Sequence, residues 1–73
     1  MEYRKITLIV EGKEEIYAGE KTGKYCYHAR TKECGSLGGV LGRGYTEREA
    51  KDDFIRRANM DLYRADYRVK LAD

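Results

Sequence analysis

The sequence predicts an α+β domain, a small antiparallel sheet of three to five strands packed against one α-helix, β-β-β-α-like with a possible extra C-terminal strand. Three observations predict it. Residues 24–30 alternate, with Tyr25, Tyr27 and Ala29 on one face and Lys24, Cys26, His28 and Arg30 on the other, which is the period of a strand. A glycine-rich segment follows. Then Thr46 and Glu49 form a capping box ahead of Ala50, Phe54, Ala58 and Leu62, spaced four apart as on one helix face.

The elements follow in chain order. Ile6, Leu8 and Val10 alternate with Thr7, Ile9 and Glu11, so residues 3–11 read as a first strand. Gly12-Lys13 reads as a turn, residues 15–18 as a returning strand, and 19–23 (GEKTG) as the next turn. After the 24–30 strand, residues 31–36 turn the chain. Residues 37–45 read as a further strand, weakened by Gly38, Gly39, Gly42 and Gly44, which signal a bulge or a close backbone approach. Glu47 and Glu49 suit the positive end of the helix dipole. Glu47–Lys51, Asp52–Arg56 and Asp53–Arg57 are spaced as i,i+4 ion pairs. The helix ends near Met60 to Tyr63, and Tyr67, Val69 and Leu71 alternate as a last edge strand. Tyr25 and Tyr27 are expected in the core beneath Phe54, with Tyr63 and Tyr67 closing its edge or lining an interface.

At 73 residues the chain is expected to form a single binding domain over 1–73. A core this small leaves a thin stability margin and room for a homodimer. Composition is 41% hydrophobic and 38% charged, with 15 basic and 13 acidic residues. The periodicity of the apolar residues argues against disorder. The near balance of charge tells against a dedicated nucleic-acid binder. Its distribution tells the other way, because Lys21, Lys24, His28, Arg30, Lys32 and Arg43 gather in the sheet region. The acids Glu47, Glu49, Asp52 and Asp53 gather on the helix. No apolar run approaches the ~20 residues that cross a bilayer, and no signal-peptide pattern is present. The expected location is cytoplasmic, with Cys26 and Cys34 as reduced thiols.

Enzymatic readings fare poorly. Cys26 and His28 lie on one strand with no orienting carboxylate at a recognisable spacing. Cys26, His28 and Cys34 supply three soft ligands where a structural zinc site takes four. The GSLGGVLGRG run lacks the Gly-Lys-Ser/Thr ending of a phosphate loop and is better read as a glycine-bent strand. No cofactor and no catalytic residue is expected. The feature pointing to function is the basic strand face, since a small sheet fits the major groove of duplex DNA. Its bland counterpart is a solvated surface whose charges discourage aggregation.

The stretch GKYCYHARTKECGSLGGVLGRGYTEREAKDDFIRRANMDL, about half the chain, resembles the arm-type DNA-binding domain of lambda-type phage integrases. The shared features are a Gly-x-Tyr-Cys-Tyr strand, an Arg-Thr-Lys turn, a Leu-Gly pair and a helix with Glu-Ala in its first turns. That resemblance implies a sheet inserted in the major groove, with Lys24, His28, Arg30, Lys32 and Arg43 toward DNA. The chain departs from it in lacking a recombinase domain and in having an extra N-terminal hairpin. GYTEREA also looks like the Gly-x-Thr-x-x-Glu-Ala lead-in to the helix of HicB-type antitoxins, without their second DNA-binding domain. GRGYTEREAKDDFIRRA is similar in spacing to the end of a double-stranded-RNA-binding domain, but Glu47 and Glu49 occupy the place of its lysine cluster. The expected function is a non-enzymatic phage or mobile-element accessory protein binding DNA through its sheet. The alternative is a protein-binding inhibitor, an antitoxin or anti-defence protein, docking through the sheet edge or the acidic helix. Pairing of Arg30 and Lys24 with the helix acids would speak against DNA.

Overall fold

The computed structural model describes residues 2–32, 37–61 and 67–72. The order is β1 (Glu2–Ile6), β2 (Leu8–Tyr17), β3 (Glu20–Thr31), β4 (Gly42–Gly44), α1 (Glu47–Asp61) and β5 (Tyr67–Leu71). β2, β3 and β4 form an antiparallel sheet in that order, while β1 pairs in parallel with β5. The α+β class expected from the sequence is therefore present. Residues 2–17 are one long extended segment that changes partner at Thr7: Ile6 lies opposite Leu71 and Leu8 opposite Thr31.

The core follows from the alternation. Ile6, Leu8 and Val10 face the helix from β1 and β2, Ala29 and Tyr27 from β3, and Val69 from β5. Ala50, Phe54 and Ala58 meet them from α1, all fully buried. Helix and sheet approach most closely at β4. A Cβ on Gly42 would lie 2.2 Å from the Ala50 carbonyl oxygen, and one on Gly44 would lie 2.4 Å from the Glu49 Cβ. No side chain fits there, which is the physical reason for glycine at both positions. Leu37 and Val40 fold inward through a turn, with the Val40 N–H donating to the Leu37 carbonyl at 3.2 Å.

Several sequence expectations are corrected. Gly12-Lys13 is not a turn, because β2 runs through it. Gly12 lies opposite Tyr27, whose ring fills the place of a side chain, 2.7 Å from an ideal Cβ. The reversal comes instead at Ala18-Gly19, with φ of 52° and 83°. Two consecutive positive φ values mark the type I′ geometry that suits hairpin twist, and Ala18 adopts it at a steric cost that glycine would avoid. Residues 20–23 belong to β3. The register slips between Glu14↔Tyr25 and Ile16↔Lys21, so Thr22, Gly23 and Lys24 bulge opposite Glu15, with Gly23 at φ 84°. Only residues 42–44 of the expected 37–45 strand pair in the sheet. Tyr25 is 54% exposed rather than in the core, although Tyr27 packs against it. The expected last strand is present as β5, but it pairs in parallel with β1 in a separate two-stranded sheet rather than joining the antiparallel one. Leu62, Tyr63, Cys34 and most of the 31–36 turn lie outside the described residues.

Candidate functional site

The helix covers one face of β2-β3-β4 and leaves the other open. Because Ala29 and Gly42 face the helix, the alternate residues face away. These are Ile9, Glu11 and Lys13 on β2, Lys24, Cys26, His28 and Arg30 on β3, and Arg43 on β4. The structure thus brings Lys24, His28, Arg30 and Arg43 to one surface, with His28 directly opposite Arg43. Lys32 lies exposed just past the end of β3. Lys13 joins the same face, and the sequence reading missed it by placing a turn there.

The face is mixed in sign. Arg30 donates to Glu11 across the ladder at 3.1 Å, an exposed pair worth little to stability. Lys24 sits over the Tyr45 ring at 5.3 Å. Among the described residues, neither is held by a helix acid. At the bulge, the Glu15 carboxylate accepts from the Thr22 hydroxyl and the Tyr45 hydroxyl, each at 2.9 Å. Those two bonds hold Glu15 below its ordinary range, the Thr22 bond foremost, and the Glu15 carboxylate pushes the Tyr45 phenol up. The bulge is thereby tied to the residue that precedes the helix cap. Cys26 Sγ and His28 Nε2 stand 4.0 Å apart, and among the described residues no three metal-ligating side chains gather. No helix among the described residues is long and apolar enough to cross a membrane.

Two helix acids, Glu49 and Asp53, have a use beyond the one expected. The Arg43 N–H on the outer edge of β4 donates to Asp53 Oδ2 at 2.9 Å, and the Tyr45 N–H donates to Glu49 Oε1 at 3.2 Å. Glu49 completes the cap differently from a capping box. Its own N–H donates to Thr46 Oγ1 at 3.0 Å, as expected, but its carboxylate reaches Tyr45. Asp53 also accepts from Arg56 at 2.6 Å and Arg57 at 2.8 Å, so Asp53–Arg57 forms as expected. Arg56 goes to Asp53 rather than Asp52, whose nearest cation is Arg48 at 3.9 Å. Glu47–Lys51 forms no ion pair. Burial raises the Asp53 carboxyl, but the bonds from the Arg43 backbone, Arg57 and Arg56 outweigh it and hold the group down at about 2. On the β5 edge, Asn59 plays the matching part. Its amide accepts from the Val69 N–H at 2.8 Å and donates to the Val69 carbonyl at 3.2 Å.

One helix thus closes groups on two sheet edges, which removes β4 and the middle of β5 as places for a partner strand to add. Among the described residues, the accessible surfaces include the open face and the distal part of the β2-β3 hairpin, where Ile16 and Tyr17 are 64% and 78% exposed. No protein-family model, curated protein or solved structure matches this chain.

Proposed function

We propose that the protein is a non-enzymatic binding module that engages duplex DNA through the helix-free face of β2-β3-β4. One observation carries this reading: Lys13, Lys24, His28, Arg30 and Arg43 lie together on a face that no other described element covers. A sheet of this width fits the major groove, where lysine and arginine reach phosphates and guanine edges. Lys32, exposed just past the end of β3, adds a further cation near this face. Glu11 engages Arg30, so DNA must displace or tolerate that pair, which lowers affinity and sharpens the need for a good site.

The test is a fluorescence-anisotropy titration against mixed-sequence duplex DNA at low and at physiological salt. With about four phosphates contacted, the slope of log affinity against log salt should be about −3 to −4. A folded variant carrying Lys24→Glu and Arg30→Glu should lose measurable binding at physiological salt. Undiminished binding by that variant would remove the face from the interface.

A second reading, docking to a protein partner, is favoured by the Glu11–Arg30 pair and by the apolar and aromatic residues near the open hairpin tip. Absence of duplex binding at low salt, together with a stable complex in a pull-down that Tyr17→Glu abolishes, would select it.

A further inference from the structure

From the geometry around Asp53 we infer that the DNA-contacting surface continues over the β4 edge onto the helix, as a ridge made by Arg43, Arg56 and Arg57 that grips backbone phosphates. The inference rests on the DNA reading and extends it to residues outside the sheet. Two clefts meet along this line. One, of about 500 Å³, is lined by Leu41, Arg43, Arg56, Arg57 and Met60 among others. The second runs from Cys26 on the open face across Arg43 and Gly44 to Asp53 and Arg57. Arg43 and Arg57 line both, so arginines are present along the whole line from sheet to helix, with Glu15 and Asp53 beside them in the second cleft.

The charge count favours an anion. The Arg56 and Arg57 guanidiniums share the Asp53 carboxylate, whose two oxygens already accept from Arg56 Nη2, Arg57 Nε and the Arg43 N–H. With Arg43 and Glu15 counted, three cations stand against two carboxylates along the two clefts. No carboxylate stands in ion-pair distance of the Arg43 guanidinium among the described residues. Arg57 bonds Asp53 through Nε, which leaves both of its terminal nitrogens for a bidentate contact. The Arg56 and Arg57 side chains remain 60% and 52% exposed while held by Asp53, so less conformational freedom is lost when they bind. Exposed Leu41 and Met60 offer an apolar wall to the deoxyribose between phosphates.

The measurement is the salt dependence of binding to a fluorescein-labelled 20-base-pair duplex, with folding followed by far-ultraviolet circular dichroism. Arg56→Gln with Arg57→Gln should reduce the magnitude of the log–log slope by about 2, equally for unrelated sequences. Met60→Lys, at an exposed position that takes no part in the fold's core, should increase it by about 1 and keeps the test valid if the double variant fails to fold. A wild-type slope in both variants overturns the ridge while the sheet face stands. No duplex binding by the unmodified protein at low salt removes both.

Discussion

The β4 edge and the β5 edge are closed by the same helix with opposite chemistry. At β4 the helix lies so near that only glycine fits beneath it, and the outward N–H groups of Arg43 and Tyr45 are taken by carboxylates. At β5 the strand presents a full valine side chain to the core, and the neutral amide of Asn59 satisfies both backbone groups of Val69. A carboxylate can only accept, so it closes an edge one N–H at a time and brings charge with it. An amide donates and accepts, so it can stand in for a neighbouring strand at one residue. The charged closure gathers Arg56 and Arg57 at the β4 edge. The neutral one brings no charge of its own to the β5 edge.

The comparison can be broken most severely at Gly42. Gly42→Ala places a methyl group against the backbone of Ala50 and Phe54, and should cost about 3 kcal/mol or more. In a domain whose total stability is of order 5 kcal/mol that is most of the margin, and chemical denaturation followed by circular dichroism would show it. Next in size is Asn59→Ala. It strips a donor and an acceptor from the backbone groups of buried Val69 and should cost about 2 kcal/mol at any pH between 3 and 8.

Asp53→Asn should cost least, about 1 kcal/mol at neutral pH, since its partners are largely exposed. Its signature is the pH dependence. The folded Asp53 carboxyl sits at about 2 against an ordinary 3.8, so the ionised form is the one the fold favours. Its contribution is complete above the ordinary value and is lost as pH falls through 3.8 toward 2. The gap between the parent and Asp53→Asn should therefore close over that window. The Asn59→Ala gap should stay constant there. Denaturation midpoints at pH 5, 3.5 and 2.5 check both, and a constant gap for Asp53→Asn would show that its charge does not stabilise the fold.

What the sequence made legible follows the same division between local and non-local causes. The helix was readable because its cap, its first-turn acids and its four-residue apolar spacing all lie within a few turns of one another. Gly42 and Gly44 were readable as a close approach, though not of what. Gly12 was misread because a glycine beside a lysine looks like a turn, whereas its cause is the Tyr27 ring fifteen positions away on the next strand. The true turn, expected at 19–23, begins one residue earlier at Ala18, a residue type that seldom takes a left-handed conformation. Lys24, His28, Arg30 and Arg43 were found by alternation alone. Arg56 and Arg57 were passed over because an acid four residues ahead of an arginine looks like ordinary helix-surface pairing. Only the fold shows that Asp53 is also holding a strand edge.

The parallel pairing of β1 with β5 has a consequence for synthesis. β1 is made first and its partner strand last, with the hairpin, β4 and the whole helix in between. A nascent chain can form the β2-β3 ladder as soon as it clears the ribosome, but residues 2–6 have no strand to pair with until β5 emerges. Ile6, which ends almost fully buried, spends that interval in water. Completion of the fold is therefore a late, long-range closure, and it falls on the segment where premature release or a stalled chain would leave a bare strand exposed to its neighbours.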